Sequence, residues 1–94
     1  MRARVGIITF ELSLPGATSL KAKRARLRPL VESVRRRFHV STAEIGLNDI
    51  HDRAMVAAAV VGSDTSHIER QLSSIATAAE NFDVRIDDYS VEVI

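Results

Sequence analysis

The order in which two hydrophobic periods follow one another constrains this chain more than any other feature. Apolar residues alternate over residues 5–14, then recur at spacings of seven, four, three and four from Leu20 to Phe38. A second strand is read over 40–45 and a third, apolar on both faces, over 54–61; helical spacing returns from Ile68, and apolar residues alternate once more over 84–94. A period of two marks a strand and a period near 3.6 marks a helix, so the elements read strand, helix, strand, strand, helix, strand.

In the first strand Ile8, Phe10 and Leu12 form one face, while Val5 and Ile7, continued by Thr9 and Glu11, form the other. A run that is apolar on one face and partly on the second belongs in the middle of a sheet. Pro15-Gly16 breaks it, and Thr18 or Ser19 can cap the helix that follows. There Leu20, Leu27, Val31, Val34 and Phe38 fall on one narrow stripe. Pro29 lies opposite that stripe, where the carbonyl it frees faces water, so a kink is predicted and not a break. The polar run 62–66 supplies a turn and a cap ahead of a second stripe, Ile68, Leu72, Ile75, Ala79 and Phe82. In the last strand the apolar phase moves from Val84 and Ile86 to Tyr89, Val91 and Val93, which predicts a bulge near Asp87 and Asp88.

This order is the split βαβ arrangement (βαββαβ) of the ferredoxin-like sandwich. It is an α+β fold with a four-stranded antiparallel sheet and two helices on one face. Residues 1–94 make a single such domain, which needs neither metal nor disulfide to bury a core. The topology also brings residues 15–24 and 46–53 to the same end of the sheet.

The net charge of +1 conceals a division along the chain. Residues 1–40 carry ten basic and two acidic side chains, whereas residues 41–94 carry three basic and ten acidic. Eight of the cations lie between Lys21 and Arg37, on the first helix. A surface of that kind attracts a polyanion, or an acidic surface on a second copy of the chain. There is no cysteine, which removes thiol catalysis and cysteine zinc sites and fits a reducing compartment. The apolar run 5–10 is too short for a secretory or membrane segment, so a cytoplasmic protein without membrane contact is expected.

Three segments carry a family resemblance. They are Leu14-Pro15-Gly16-Ala17-Thr18-Ser19-Leu20-Lys21-Ala22-Lys23-Arg24, then Val40-Ser41-Thr42-Ala43-Glu44-Ile45-Gly46, then Asp49 with Arg53-Ala54. Together they resemble the YlxP-like family of small bacterial proteins of unknown function. The resemblance implies a ferredoxin-like fold. It also implies a role near RNA or ribosome maturation, through genes that lie among those for transcription termination and translation initiation factors. This chain has Leu47 where the family often has histidine, and His51 where tryptophan is frequent.

No reaction is legible. His39, His51 and His67 lack metal-ligand spacing, and Gly6, Gly16, Gly46 and Gly62 are isolated, so neither a phosphate loop nor a dinucleotide fingerprint exists. No catalytic residue, metal or cofactor is predicted, and an enzyme is disfavoured. Phe10, Phe38 and Phe82 fall on inward positions, which leaves no platform for base stacking on the sheet; RNA contact would be to phosphates.

The residues expected to make that contact are Lys21, Lys23, Arg24, Arg26, Arg28, Arg35, Arg36 and Arg53. Their partner would be structured RNA or a ribosomal subunit. Structural readings stand beside this one. Arg35, Arg36 and Arg37 complement the helix dipole, Asp49 or Asp52 could pair with Lys23 or Arg24, and Asp49 could pair with Arg53. Were the aspartates to hold Lys23 or Arg24, His51 and Arg53 would face a ligand, which could also be a small anion. The rival reading is a homodimer, joined by its basic and acidic regions or by the open sheet face around Val5 and Ile7.

Overall fold

The computed structural model describes residues 2–94. The elements run β1 (Arg4–Ser13), α1 (Leu20–Phe38), β2 (Ser41–Gly46), β3 (Arg53–Gly62), α2 (Thr65–Ala79) and β4 (Arg85–Val93). The sheet order is β2-β3-β1-β4 and every pairing is antiparallel, as the ferredoxin-like order requires.

Strand alternation decides what the sheet buries. Ile8, Phe10 and Leu12 of β1 and Ala54, Val56, Ala58 and Val60 of β3 point to the helices, and all are buried. Val5, Ile7 and Thr9, with Met55, Ala57 and Ala59, face the open side, and all six are partly exposed. The phase change in the last strand is a bulge, with Ile86 opposite Leu12, Asp88 opposite Glu11, and Asp87 the extra residue. A second bulge, at Ile45, was not legible from the apolar pattern.

Ser19 caps α1, its Oγ accepting from the Ala22 amide at 3.0 Å. Leu14 to Ala17 form the turn before it. The Ala17 amide bonds to the Leu14 carbonyl at 3.1 Å, and Gly16 takes a φ of +87° that a residue with a Cβ adopts at a cost. The helix runs through Pro29, which is exposed. Its buried line is Lys23, Leu27, Leu30 and Val34, while Leu20, Val31 and Phe38 are only partly covered. The stripe is thus rotated from the expected one toward Leu30, and a lysine occupies its first position. In α2 the stripe is Ile68, Leu72, Ile75 and Ala79, capped by Asp64, and Phe82 follows in the turn beyond the helix. Gly6 allows α2 to approach the sheet, because a Cβ there would run into Ile68 and Leu72.

Candidate nucleic-acid interface

The two stretches expected at one end of the sheet do meet there. Lys23 Nζ donates to the carbonyls of Leu47 and Ile50, each at 2.8 Å, and lies 2.6 Å from Glu44 Oε2. His51 Nδ1 is 2.8 Å from the Ala17 carbonyl, and the Leu14 amide donates to the Asp52 carbonyl at 2.8 Å. Leu47 has a φ of +60°, a left-handed backbone that a leucine adopts only where its surroundings hold it there. The two bonds from Lys23 fasten that turn to the first turn of α1.

Lys23 is therefore not an anion contact. It is 1% exposed and its ammonium is enclosed by two carbonyls and a carboxylate. The ion pair expected with Asp49 or Asp52 is instead made with Glu44, because strand alternation turns Glu44 to the helix side, opposite Val56. Arg26 is occupied too. Its guanidinium donates to the Asp83 and Pro15 carbonyls at 3.1 and 2.6 Å and pairs with the Asp83 carboxylate. Arg53 does not join the α1 end: Ala54 is fully buried on the helix side, so Arg53 lies on the open face, level with Ser13. Among the described residues neither Asp49 nor Asp52 forms an ion pair, so the expected Asp49–Arg53 pair is absent.

Of the six other cations of the helix, Arg37 lies over the Phe38 ring, 5.3 Å from its centroid, and four are free among the described residues. Lys21, Arg24, Arg28 and Arg36 are exposed and have no protein partner among the described residues. Arg35 is also exposed and spends one donor on the Thr42 carbonyl at 2.6 Å. At about 100° per residue Lys21, Arg24, Arg28 and Arg35 fall within roughly 60° of one another. They form a row about 20 Å long on the shoulder of α1 nearest β2. Arg24, Arg28 and Arg35 border a groove of about 350 Å³, floored by Leu27, Val31 and Ala43, whose acidic members are Glu32 and Glu44. Glu44 already has its cation, which leaves Glu32 as the one acid of the groove outside an ion pair among the described residues.

No aromatic side chain stands on the open sheet face among the described residues. Phe10 is buried, Phe38 and Phe82 pack against the core, and Tyr89 lies on the helix side opposite Phe10, ring centroids 6.0 Å apart. What the surface offers an anion is guanidinium and ammonium groups without stacking partners, a set suited to phosphate oxygens. Among the described residues no group of three or more histidines or carboxylates could hold a metal ion, and no helix is long and apolar enough to cross a membrane.

Comparison with known proteins agrees with this architecture. The chain is 32% identical to the uncharacterized protein YlxP of Bacillus subtilis (strain 168) over 78 residues, 83% of this chain and 85% of that one. Its fold matches a de novo designed protein, Foldit4, with a TM-score of 0.53 at 16% identity, over 99% of this chain and 97% of the design. It also matches SnoaB, a cofactor-independent oxygenase from Streptomyces nogalater, with a TM-score of 0.56 at 14% identity, over 99% of this chain and 92% of that one. At those identities the likeness is one of fold alone. The segments that carry the YlxP-like resemblance are the ones Lys23 and Glu44 join, and with residues 5–91 matching the family described as "Protein of unknown function (DUF503)", the chain belongs to that family.

Proposed function

We propose that this protein is a non-enzymatic cytoplasmic factor that binds structured RNA, alone or within a ribosomal subunit, through the phosphates. The observation that carries this reading is the row Lys21, Arg24, Arg28 and Arg35 with neighbouring Arg36. These five exposed cations lie on one rigid helix, and one of their donors is spent on the protein. Uncompensated cations at such spacing repel one another, and a polyanion laid along the helix relieves that repulsion. Lys23 and Arg26 serve the fold, and Arg53 lies on the other side of the sheet, so none of the three belongs to this surface.

The test is fluorescence anisotropy with labelled RNA duplexes of several sequences, using the wild type and an R24E/R28E/R36E variant. None of the three side chains is buried, so the variant should keep the wild-type circular dichroism spectrum. Its affinity should fall at least tenfold for every sequence, since phosphate contacts carry no base information. Equal affinity in the folded variant would remove α1 from the interface.

A homodimer remains the second reading, and the open sheet face favours it over the charge division. Val5, Ile7, Ala57 and Ala59 line that face, and Val61 beside them is 74% exposed. Sedimentation equilibrium across a salt series separates the routes, because an apolar interface is indifferent to salt and a charged one weakens as salt rises.

A further inference from the structure

The edge of the sheet farthest from the basic row has an unused strand edge of defined chemistry. Val5 and Ile94 exchange both backbone hydrogen bonds, at 3.1 and 2.7 Å. Hydrogen-bonded and non-bonded positions alternate along an antiparallel pair. By register Glu92, Ser90 and Asp88 therefore face β1, while Val93, Val91 and Tyr89 turn their amides and carbonyls outward. The Tyr89 amide agrees, since it donates to Asp88 Oδ1 at 2.8 Å and not to β1.

The side chains of this edge are unfinished as well. Tyr89 and Val91 point to the helix side yet are 50% and 46% exposed, because α2 lies over β1 and β3 and reaches β4 only in part. Beside them a cavity of about 550 Å³ opens between Ala76 of α2, with Glu80 just past the helix, and Val84, Ile86 and Tyr89. The opposite edge is closed by comparison: β2 has six residues, is bulged at Ile45, and has its Thr42 carbonyl capped by Arg35.

Charge selects the occupant. β4 presents Asp88 and Glu92 on the open side, and its single cation, Arg85, already holds Asp87 at 2.8 Å. A second copy of β4 would set carboxylates against carboxylates, which disfavours self-pairing. We propose that β4 accepts, as a fifth strand, an extended segment of a partner protein in which basic residues alternate with apolar ones. The basic side chains would meet Asp88 and Glu92, the apolar ones would cover Tyr89 and Val91, and the backbone would pair with Val91 and Val93. The inference does not depend on RNA binding, which uses the other end of the molecule.

Hydrogen exchange of the full chain tests it, with nine-residue peptides that alternate lysine with valine or glutamate with valine. The lysine peptide should slow exchange of the Val91 and Val93 amides at least tenfold, and the glutamate peptide should leave them unchanged. A D88K/E92K variant should reverse that preference, and R24E/R28E/R36E should not alter it. Equal protection by both peptides, protection by neither, or an unreversed preference would overturn the proposal. So would protection that rises with protein concentration when no peptide is present, because a second copy would then hold the edge.

Discussion

Replacing Lys23 by methionine keeps most of the side-chain volume and removes the charge that joins α1 to the turn after β2. The Leu47 and Ile50 carbonyls lose their donor, and Glu44, whose side chain is 24% exposed, loses its counter-charge. Removing one member of a buried pair costs about 3–5 kcal/mol, and the hydration available to Glu44 argues for the lower end, about 3 kcal/mol. Domains of this size have a total stability of about 5–15 kcal/mol and lose roughly 4–8 °C in Tm per kcal/mol. K23M should therefore melt about 12–24 °C below the wild type, by circular dichroism in parallel with urea unfolding. Adding E44L should recover part of the loss, because the stranded carboxylate goes too. At a temperature where K23M is folded, its RNA affinity should equal that of the wild type. A melting point within about 3 °C of the wild type would refute the reasoning, as would RNA binding lost to the same degree as in R24E/R28E/R36E.

Two further perturbations test the packing and the bulge. Gly6→Ala would drive a methyl into Ile68 and Leu72 and should cost about 1–3 kcal/mol in urea unfolding, although alanine is the better residue by propensity. At the bulge, the hydrogen bond from Ser13 Oγ, and next the Arg85 guanidinium, hold the Asp87 carboxyl below the ordinary aspartate range. Its folded-state pKa is depressed, so its contribution is complete above the unfolded value near 3.8 and is lost as pH falls through the lower folded value. Ser13→Ala should raise the Asp87 midpoint in a carboxyl NMR titration and leave stability at neutral pH little changed, the group being exposed.

The element order was legible because the periods of 2.0 and 3.6 separate β1 and β4 from α1 and α2, and the short runs between the helices are bounded by polar, turn-forming residues. The bulge at Asp87 was legible for the same reason, as a phase change within one strand. The role of Lys23 was legible in part: a structural ion pair was one of its two readings, but with Asp49 or Asp52 in place of Glu44. Its position was nonetheless marked, because Lys23, Leu27, Leu30 and Val34 follow one another at spacings of four, three and four. Glu44 sits on the inward parity of β2 with Thr42. A charged residue on a buried helical line and an opposite charge on the inward face of a neighbouring strand together signal a buried pair. Which acid pairs with which cation still required the register of β2, shifted by a bulge at Ile45 that no apolar phase reveals. Arg53 could not be set on either face, because every residue from Ala54 to Val61 is apolar and no alternation marks the inward parity.

The salt dependence of RNA affinity tests the central claim most directly. If Lys21, Arg24, Arg28, Arg35 and Arg36 each neutralise one phosphate, log K should fall against log salt with a slope of about −4.5. In R24E/R28E/R36E two contacts remain and the slope should shrink by about 0.9 for each contact removed, to roughly −2. A wild-type slope near zero, or a slope unchanged by the three reversals, would contradict the assignment of the α1 row as a phosphate-binding surface.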